Sequence, residues 1–480
     1  MRILQLRLSL LLLTVILSPE PLRALEIPKN RLIVLTDIEA EPDDTQSMVR
    51  LMLYSNEIDI EGLIATTSIW KQTSVAPESI RRIVRAYGKV QPNLNLHAPG
   101  FPEAEMLLGK VKPGTSKYGM KGVGEGHDSE GSGLIIQALE RMDDRPLWIS
   151  VWGGVNTLAQ ALYKIEKTKP EAEMRKLVSK LRVYTISDQD DSGHWIRKNF
   201  PTLFYIVSPG DHYGSATWSA INTVIEGVNN EKISNDWLAW NIQQNHGPLG
   251  AAYPDVAYGM EGDTPSWLGL IPNGLSVPEH PEWGGWGGRY EFYTPDIATL
   301  KKGNSGVPHE AEPRAIWSDA VDGYTPYVGG EYGRAVKLGQ RTFRDNKVSL
   351  WRWRDEFQND FAARMDWCTK PYAEANHAPV PVLTHANAIT VRSGAGFGLD
   401  ASASTDPDGD SLSFLWFHYP EAGSYQKLIA IDSAENTRGI YIKAPEVEKE
   451  ETAHFILKVT DKRQPTLSRY QRVVVTIKPK

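Results

Sequence analysis

Short apolar runs alternate with helical patterns over much of the 480-residue chain, and this alternation limits the possible folds more than any other feature. Each run is rich in β-branched or aromatic residues and is followed by a polar or helical segment, as in LIVLTD, IDIEGLIATTS, LWISVWGG, LRVYTISD and LFYIVS. Strands that alternate with helices form βαβ units, in which helices cover both faces of a parallel sheet. We therefore predict an α/β domain over residues 27–370, built on a mostly parallel sheet.

A second, smaller domain is predicted over residues 376–480. The preceding segment, residues 368–385, contains three prolines and no helical periodicity, which is typical of a linker. After it, short stretches alternate apolar and polar residues and are joined by turns such as DPDGD, residues 406–410. This pattern indicates a small immunoglobulin-like β-sandwich that we expect to fold by itself. Residues 351–367, WRWRDEFQNDFAARMDW, predict a helix that packs back onto the first domain.

The first 24 residues have the pattern of a secretory signal peptide. Two arginines precede an apolar run over residues 8–17, which is too short to span a bilayer, and two prolines follow it. Cleavage near Ala24 would release a secreted or periplasmic protein with no membrane association, and an uncleaved anchor is the alternative. The single cysteine, Cys368, excludes an intramolecular disulfide.

The composition narrows the class of ligand. A net charge of -7 argues against a nucleic-acid partner, because binding to a phosphate backbone needs a basic face. The chain also has 15 tryptophans and 19 tyrosines, whose faces can stack on sugar rings. Core packing is the alternative role for each of them.

A cluster of acids follows the first apolar run and suggests a metal site. The cluster lies in DIEAEPDD and comprises Asp37, Glu39, Glu41, Asp43 and Asp44. Carboxylates at close range repel one another and raise one another's pKa, and a divalent cation relieves that repulsion. Oxygen ligands without Cys or His favour Ca²⁺, with Mg²⁺ less favoured, over zinc. An acidic helix N-terminus, stabilised by the helix dipole alone, is the alternative.

A later segment supplies further carboxylates. YGMEGDTPSWLGL, beginning at Tyr258, contains Glu261 and Asp263 before a Thr-Pro pair and a tryptophan. In parallel sheets the loops at the carboxyl ends of the strands build the site, so this loop can return to the same edge.

These residues resemble the calcium-dependent nucleoside hydrolases, which open with a strand and a cluster of aspartates. The closer similarity is to a branch of secreted bacterial proteins that have a nucleoside-hydrolase-like domain and a C-terminal β-sandwich, some of them labelled cellulose-binding. EGDTPSWL, HPEWGGWGGRYE and WRWRDEFQNDFAARMDW carry the similarity, which covers nearly the whole mature chain.

The resemblance implies a role for each matching residue. Asp37 would bind calcium and act as the base that deprotonates the attacking water. Asp44 and Asp263 would also bind the ion, and Asp43 would hold ribose-like hydroxyls. The backbone carbonyl that the family contributes as a ligand falls on Asn156 in GGVNTLAQAL.

The chain departs from the family pattern at three places. Asp43 comes six positions after Asp37, where the family has four, so the loop is two residues longer. Trp70 occupies the position of an asparagine that reads ribose. The histidine that many members place before the final aspartate is Gly262. Metal binding is therefore expected to be retained, whereas ribose recognition and leaving-group protonation are not.

Other polar residues are candidates for lining the site. His127 lies in a Gly-rich loop, Asp191 lies in SDQDDSGHW, and Glu261 precedes Asp263; we include all three as candidate substrate-binding residues, together with Asp43 and Trp70. Turn formation explains the loop residues equally well. The trio Asp406, Asp408 and Asp410 is predicted to form a turn, with a calcium site as the alternative.

The sequence leads to two hypotheses about function. The first is a secreted, calcium-dependent, glycosidase-like hydrolase that cleaves an N-glycosidic or other glycosidic bond in a small glycoside or carbohydrate. The alternative is a non-catalytic carbohydrate-binding protein, with a cellulose-like polysaccharide as a further candidate partner. The base Asp37 favours the enzyme, and the missing proton donor favours the binding protein.

Overall fold

The first domain is built on one large, mostly parallel sheet in the computed structural model. Its strands are β1 Asn30–Thr36, β2 Ile58–Ala65, β3 Val111–Pro113, β4 Leu147–Val151, β5 Leu181–Thr185, β6 Phe204–Val207, β7 Tyr290–Tyr293 and β8 Ile316–Asp319. Within the described residues the order is β3-β2-β1-β4-β5-β6-β8-β7, and β7 runs antiparallel to β8 while the other neighbours are parallel. The predicted α/β fold is confirmed.

The structure describes residues 28–480 apart from 211, 215–216, 300–302, 309, 327, 330–334, 337–340 and 432–434. The predicted signal peptide, residues 1–24, lies outside this range. None of the helices in the described ranges is long and apolar enough to cross a lipid bilayer.

Helices cover both faces of the sheet because its central strands bury residues on both sides. In β1, Leu32 and Val34 pack into one apolar core and Ile33 and Leu35 into another. The helices that surround these cores are α1 Pro42–Met52, α2 Pro77–His97, α3 Ala104–Gly109, α4 Glu130–Glu140, α5 Asn156–Thr168, α6 Glu171–Ser179, α7 Ser192–Asn199, α8 Asn235–Leu238, α9 Gly247–Ala251, α10 Pro265–Leu268, α11 Val348–Trp351 and α12 Arg354–Asp366.

The C-terminal domain is a small β-sandwich. Two short ribbons precede it, β9 Asp322–Tyr324 paired with β12 Phe343–Asp345, and β10 Val328–Gly329 paired with β11 Ala335–Val336. The sandwich strands are β13 Ala388–Arg392, β14 Gly396–Asp400, β15 Ser413–His418, β16 Gly439–Lys443, β17 Glu451–Thr460 and β18 Ser468–Lys478. In the described part, β13-β18-β17-β15 form one sheet and β14-β16 the other, around a shared apolar core.

The DPDGD segment forms the predicted turn. The Asp406 side chain accepts hydrogen bonds from the backbone N–H groups of Asp408 and Asp410 at 2.9 and 3.0 Å. Asp408 accepts hydrogen bonds from both the backbone and the ring of His377 in the linker. The turn therefore also fixes the end of the linker against the sandwich.

Helix α12 joins the two domains. Asp360, which is buried in the middle of this helix, accepts hydrogen bonds from Tyr54 in the first domain at 2.6 Å and from Arg469 in the sandwich at 2.7 Å. The segment 351–367 thus packs onto the first domain, as predicted, and it also carries the sandwich.

A second set of buried contacts connects β18 with the loop before β7. Arg472 donates hydrogen bonds to the backbone carbonyls of Leu275 and Gly284, and the N–H of Tyr470 donates to Asn273. Tyr419 and Tyr470 also belong to the apolar core of the first domain. Separation of the two domains would expose apolar and charged groups that they bury together, so a stability cost is expected on isolation of the sandwich, and its independent folding stays a prediction.

We predict that Arg472→Leu lowers the free energy of unfolding by about 2 to 4 kcal/mol, because it leaves buried carbonyls without donors. Urea unfolding of the full chain measures the loss. The matched control is Arg438→Leu, since Arg438 is an exposed arginine in the same domain. Equal effects of the two substitutions would show that the interface does not stabilise the protein.

Candidate functional site

The acidic cluster occupies the loop between β1 and α1, at the carboxyl end of the sheet. Asp37 follows β1, and α1 begins at Pro42, a residue suited to the first helical position because it has no N–H to satisfy. Asp43 and Asp44 lie in the first turn of α1, where the helix dipole favours negative charge. All three aspartates are nevertheless buried, which is unusual for charged residues at a helix start.

Asp263 joins this cluster from a distant part of the chain. Oxygen atoms of Asp43, Asp44 and Asp263 lie within 4.8 Å of one another, and each of the three residues is at most 3% exposed. Asp44 also accepts a hydrogen bond from the Thr36 hydroxyl at the end of β1. The cluster thus contains Asp44 and Asp263, two of the three carboxylates that the sequence assigns to the ion, together with Asp43, which the sequence assigns to sugar hydroxyls. Asp37 lines the same cavity but is not one of this trio.

A buried ion pair holds the Asp263 loop against α1. Arg50 on α1 donates to Glu261 at 2.6 Å, and both side chains are fully buried. Arg50 also donates to Gln358 on α12, while Tyr253 and Thr264 donate to Glu261. Removal of one partner of such a pair costs about 3 to 5 kcal/mol, because the other charge stays buried and uncompensated. Glu261 is thus a structural residue and not the substrate-binding residue that we predicted.

The acidic cluster encloses a cavity of about 10 Å³, which is close to the minimum for one water molecule. A pocket for a small organic ligand is larger, with roughly 300 Å³ or more. The residues that line the cavity are Asp37, Ala40, Glu41, Asp43, Asp44, Trp70, Trp152, Gln189, Tyr213, Trp218 and Asp263. In this conformation the cavity has room for an ion but not for a nucleoside.

Burial raises the pKa of every carboxyl group that lines the cavity. Desolvation is the largest cause in each case, and it raises the pKa of Asp37 to about 7 and that of Asp43 to about 6. For Glu41, desolvation followed by the charges of Asp43 and Asp37 raises the pKa to about 7. The pKa values of Asp44 and Asp263 lie well above the ordinary range, through desolvation and the neighbouring acids.

The donor set matches a hard divalent cation. Asp263 Oδ2 is buried and has no hydrogen-bond partner among the described residues, although an unpaired buried carboxylate oxygen is costly. A cation beside Asp44 and Asp263 would satisfy this oxygen and offset the mutual repulsion of the cluster. The ligands are carboxylates, which are the donors that Ca²⁺ and Mg²⁺ prefer.

Three aromatic residues cover the cavity, and we call them the aromatic cover: Trp70, Tyr213 and Trp218. The Trp70 indole donates to the Tyr213 hydroxyl at 3.1 Å, and the Tyr213 ring meets the Trp218 ring edge-on. Trp70 is 50% exposed, so core packing, the alternative role for the tryptophans, does not apply to it. The Trp218 indole donates to Asp43 Oδ2 at 2.6 Å. Trp218 therefore holds the carboxylate that we assigned to sugar hydroxyls.

Gly262 makes room for Trp218. A Cβ atom on residue 262 would lie 2.0 Å from the Trp218 ring, so no larger residue fits there while the indole stays in place. Trp218, which comes from a different loop, thus occupies the space beside residue 262, where the resemblance led us to look for a histidine. The N–H of an indole donates a hydrogen bond, but it cannot supply a proton as a general acid does.

Asn156 does not line the cavity, in contrast to its predicted role as a carbonyl ligand. Its side chain accepts from the hydroxyl of Thr66 and donates to that of Thr67. The last residue before the glycine pair, Trp152, lines the cavity instead, and its carbonyl accepts from Gln189 at 2.5 Å. Asn156 starts α5, whereas Trp152 directly follows β4 and so lies at the carboxyl end of the strand.

His127 and Asp191 also lie outside the cavity lining. His127 belongs to a turn, with its N–H bonded to the carbonyl of Gly124. Asp191 accepts a hydrogen bond from the N–H of Met120 at 2.7 Å and so fixes that loop. Both residues have the turn and loop roles that were the alternative interpretation.

Sequence reasoning missed several lining residues, namely Trp152, Gln189, Tyr213 and Trp218. Trp152 and Gln189 follow the ends of β4 and β5, so their position after predicted strands was a usable signal. Tyr213 and Trp218 lie in an irregular stretch after β6, and no local pattern connects that stretch with Asp43.

Comparisons with known proteins agree with this fold. A family model described as "Cellulose-binding Sde182, nucleoside hydrolase-like domain" matches residues 31–290, and one described as "Cellulose-binding protein Sde0182, C-terminal domain" matches residues 396–477. A solved structure of a nucleoside hydrolase-related hypothetical protein from Saccharophagus degradans, described as associated with carbohydrate metabolism, is 35% identical, with a TM-score of 0.78. The match covers 94% of this chain and 100% of that one.

Two further solved structures are too dissimilar to indicate a function. The effector protein XOO4466 is 8% identical with a TM-score of 0.35, covering 71% of this chain and 94% of its own. The type III effector XopQ, solved in complex with adenosine diphosphate ribose, is 11% identical with a TM-score of 0.27, covering 52% and 68%. No curated protein matches the chain.

The family similarity thus extends over both domains, and it includes the loops that supply Asp37, Asp43, Asp44 and Asp263 to the acidic cavity. The chain matches both the nucleoside-hydrolase-like domain and the C-terminal domain described for these cellulose-binding proteins, and it therefore belongs to the cellulose-binding Sde182 family.

Proposed function

We propose that the protein is a secreted, calcium-dependent, glycosidase-like hydrolase that acts on a carbohydrate ligand. The observation that carries the proposal is the convergence of buried carboxylates from two distant loops, with an unpaired Asp263 oxygen among them. The family is described as cellulose-binding and the Saccharophagus degradans protein as associated with carbohydrate metabolism, which supports a carbohydrate ligand.

The residues that would hold the ion are Asp37, Asp44 and Asp263, with the carbonyl of Trp152 in place of Asn156. When bound, calcium would orient sugar hydroxyls and lower the pKa of a water molecule. Asp37 is the candidate base for that water, because it lies in the cavity beside the other carboxylates.

Glu41 is the candidate proton donor for the leaving group. It lines the cavity and precedes α1, and desolvation raises its pKa to about 7, so a large fraction of the group is protonated at neutral pH. A pair of carboxyl groups in different environments is the usual arrangement for acid and base in glycoside cleavage. None of the described residues that line the cavity is a histidine or a lysine, which leaves Glu41 as the acid best suited to this role.

The alternative function, non-catalytic carbohydrate binding, is favoured by a specific observation. Trp218 donates to Asp43, and the cavity beneath the aromatic cover has a volume of only about 10 Å³. Hydrolysis requires that the aromatic cover moves to admit a sugar, whereas a binding protein could use the exposed Trp70 face without such a movement.

The first prediction of this proposal concerns calcium binding. Calcium should raise the melting temperature of the full chain, with a stabilisation of about 2.7 kcal/mol when the free ion is at about 100 times its dissociation constant. Asp263→Asn should abolish the effect because it removes a ligand. The control is Asp236→Asn, which changes an exposed aspartate on α8. A calcium response that survives in Asp263→Asn would contradict the site.

The second prediction concerns pH. The folded pKa values of Asp37, Glu41 and Asp43 lie above the ordinary values of 3.8 and 4.5. A raised folded pKa adds stability below the unfolded pKa and loses it as pH rises through the folded pKa. The metal-free protein should therefore lose stability between about pH 5 and pH 8. Because protons compete with calcium for these oxygens, the increase in melting temperature caused by calcium should be larger at the higher pH. A calcium effect of the same size at both pH values would refute this linkage.

The third prediction separates the enzyme from the binding protein. Release of reducing sugar from neutral glucan oligosaccharides should require calcium and should be lost in Asp263→Asn. Glu41→Gln should keep the calcium-induced stabilisation but lower kcat by about 100-fold or more, as expected for loss of a general acid. Inosine and uridine should be cleaved far more slowly than the roughly 1 to 1000 per second of ordinary enzymes.

Glu39→Gln is the matched control for Glu41→Gln. The Glu39 carboxylate accepts hydrogen bonds from Ser79 and Arg82 on α2 and does not line the cavity, so its loss should leave kcat unchanged. Rapid cleavage of nucleosides would restore an ordinary nucleoside hydrolase. Binding of oligosaccharides without any sugar release would instead establish the non-catalytic alternative.

A further inference from the structure

A groove of about 560 Å³ lies between the first domain and the sandwich, and it shares no residue with the acidic cavity. One wall comes from α8, the π-helical turn that follows it and the start of α9; the other comes from α12 and the sandwich loop at residues 464–466. Its lining residues are Asn229, Lys232, Trp237, Trp240, Asn241, His246, Asn359, Ala362, Asp366, Lys370, Gln464, Pro465 and Thr466.

An exposed tryptophan stands at this groove. Trp240 is 72% exposed, although a tryptophan normally buries most of its large apolar surface. It lies on a π-helical turn, Ala239–Gln243, and π-helical turns occur frequently at functional sites. Trp237, one turn earlier, is partly buried and lines the same groove. The groove therefore presents an aromatic face to solvent that the fold does not use for packing.

The rest of the groove is polar, yet its charges are compensated. Lys370 pairs with Asp366 at 2.8 Å, and the same carboxylate bonds His246 at 3.0 Å. Lys232 pairs with Asp355 at 3.1 Å. The remaining polar lining consists of amides and a hydroxyl: Asn229, Asn241, Asn359, Gln464 and Thr466. A lining of this kind suits a ligand that is neutral and rich in hydroxyl groups.

The two walls of the groove are joined by direct hydrogen bonds. Asn359 on α12 donates to both the carbonyl and the hydroxyl oxygen of Thr466, each at 3.0 Å. These bonds, together with the buried contacts of α12 described above, hold the walls in one relative position. A ligand in the groove would therefore bind a preformed site and would touch both domains.

We propose that this groove binds a segment of a neutral polysaccharide chain, with a sugar ring stacked on Trp240 and hydroxyl groups bonded to the surrounding amides. Amides both donate and accept hydrogen bonds, as hydroxyl groups do, so the polar lining matches such a chain. The proposed site does not depend on the metal or on hydrolysis at the acidic cavity. Its role would be to hold the polymer on the surface of the protein.

Affinity electrophoresis of the full chain in gels containing hydroxyethylcellulose, a neutral soluble glucan, tests the proposal. Trp240→Ala should weaken the retardation. The apparent dissociation constant obtained from it should rise by about tenfold or more, which is equivalent to about 1.4 kcal/mol. Trp240→Phe should retain part of the affinity because a smaller ring still stacks. The matched control is Tyr441→Ala, which removes an equally exposed aromatic residue, also 72% exposed, from the sandwich outside the groove.

Two further arms separate this site from the acidic cavity and from a charged ligand. Asp263→Asn and removal of calcium should leave the retardation unchanged, so failure of the proposed hydrolase does not affect this test. Added salt should also leave it unchanged, because a neutral polymer contributes no charge to screen. The proposal is overturned if the wild-type chain is not retarded, if Trp240→Ala binds as well as Tyr441→Ala, or if binding is lost in salt. Unchanged melting temperatures of the variants show that any loss of binding is local.

Discussion

The buried ion pair between Arg50 and Glu261 is the interaction on which the candidate site depends. Asp263 lies two residues after Glu261, and the ion pair helps to hold its loop against α1, where its carboxylate meets Asp43 and Asp44. Hydrogen bonds of Glu261 and Thr264 with α1 act in the same direction. The same guanidinium donates to Gln358 and so connects α1 with α12. A single buried guanidinium thus contacts both the loop that carries Asp263 and the helix that carries the sandwich.

This arrangement creates a local electrostatic problem that the protein alone does not solve. Carboxyl groups in one desolvated cavity raise one another's pKa, as they do for Asp44 and Asp263. Arg50 balances the charge of Glu261 beside the cavity, but it does not pair with the carboxyl groups that line the cavity. Arg50 is already committed to Glu261, while the Asp263 oxygen stays unpaired among the described residues. A bound cation would satisfy this oxygen and offset the repulsion, which is the physical basis of the proposed calcium dependence.

The aromatic cover gives the rim of the acidic cavity an apolar, partly exposed surface. Trp218 occupies the space next to Gly262 and holds Asp43, while Trp70 exposes a flat face near the rim. A hydrogen-bonding site rejects ligands that leave its groups unpaired, whereas an aromatic face accepts many sugar rings. Trp240 adds a second exposed aromatic face at a groove that both domains form.

Patterns local in sequence were sufficient to predict the α/β domain, the sandwich and the acid-rich loop after β1. Their causes, which are side-chain periodicity, strand ends and turn formers, act over a few residues. Asp263 could be assigned because the family resemblance supplied a link across the chain. The roles of Glu261 and Asn156 could not be predicted, because the residue type alone does not reveal the partner of a side chain. A glutamate that pairs with Arg50 and a glutamate that faces a cavity are identical in the sequence, as are an asparagine that bonds a threonine hydroxyl and one that faces a cavity.

The sequence by itself therefore determined which elements form and where the strand ends concentrate acids. Only the tertiary structure decided which side chains share the cavity, that Trp218 packs beside Gly262, and that the two domains are joined by buried contacts of Asp360 and Arg472. The physical reason is that burial and pairing depend on residues 100 or more positions apart, as for Tyr54 and Asp360. Periodicity records only which face of an element is apolar and does not identify the group that meets it.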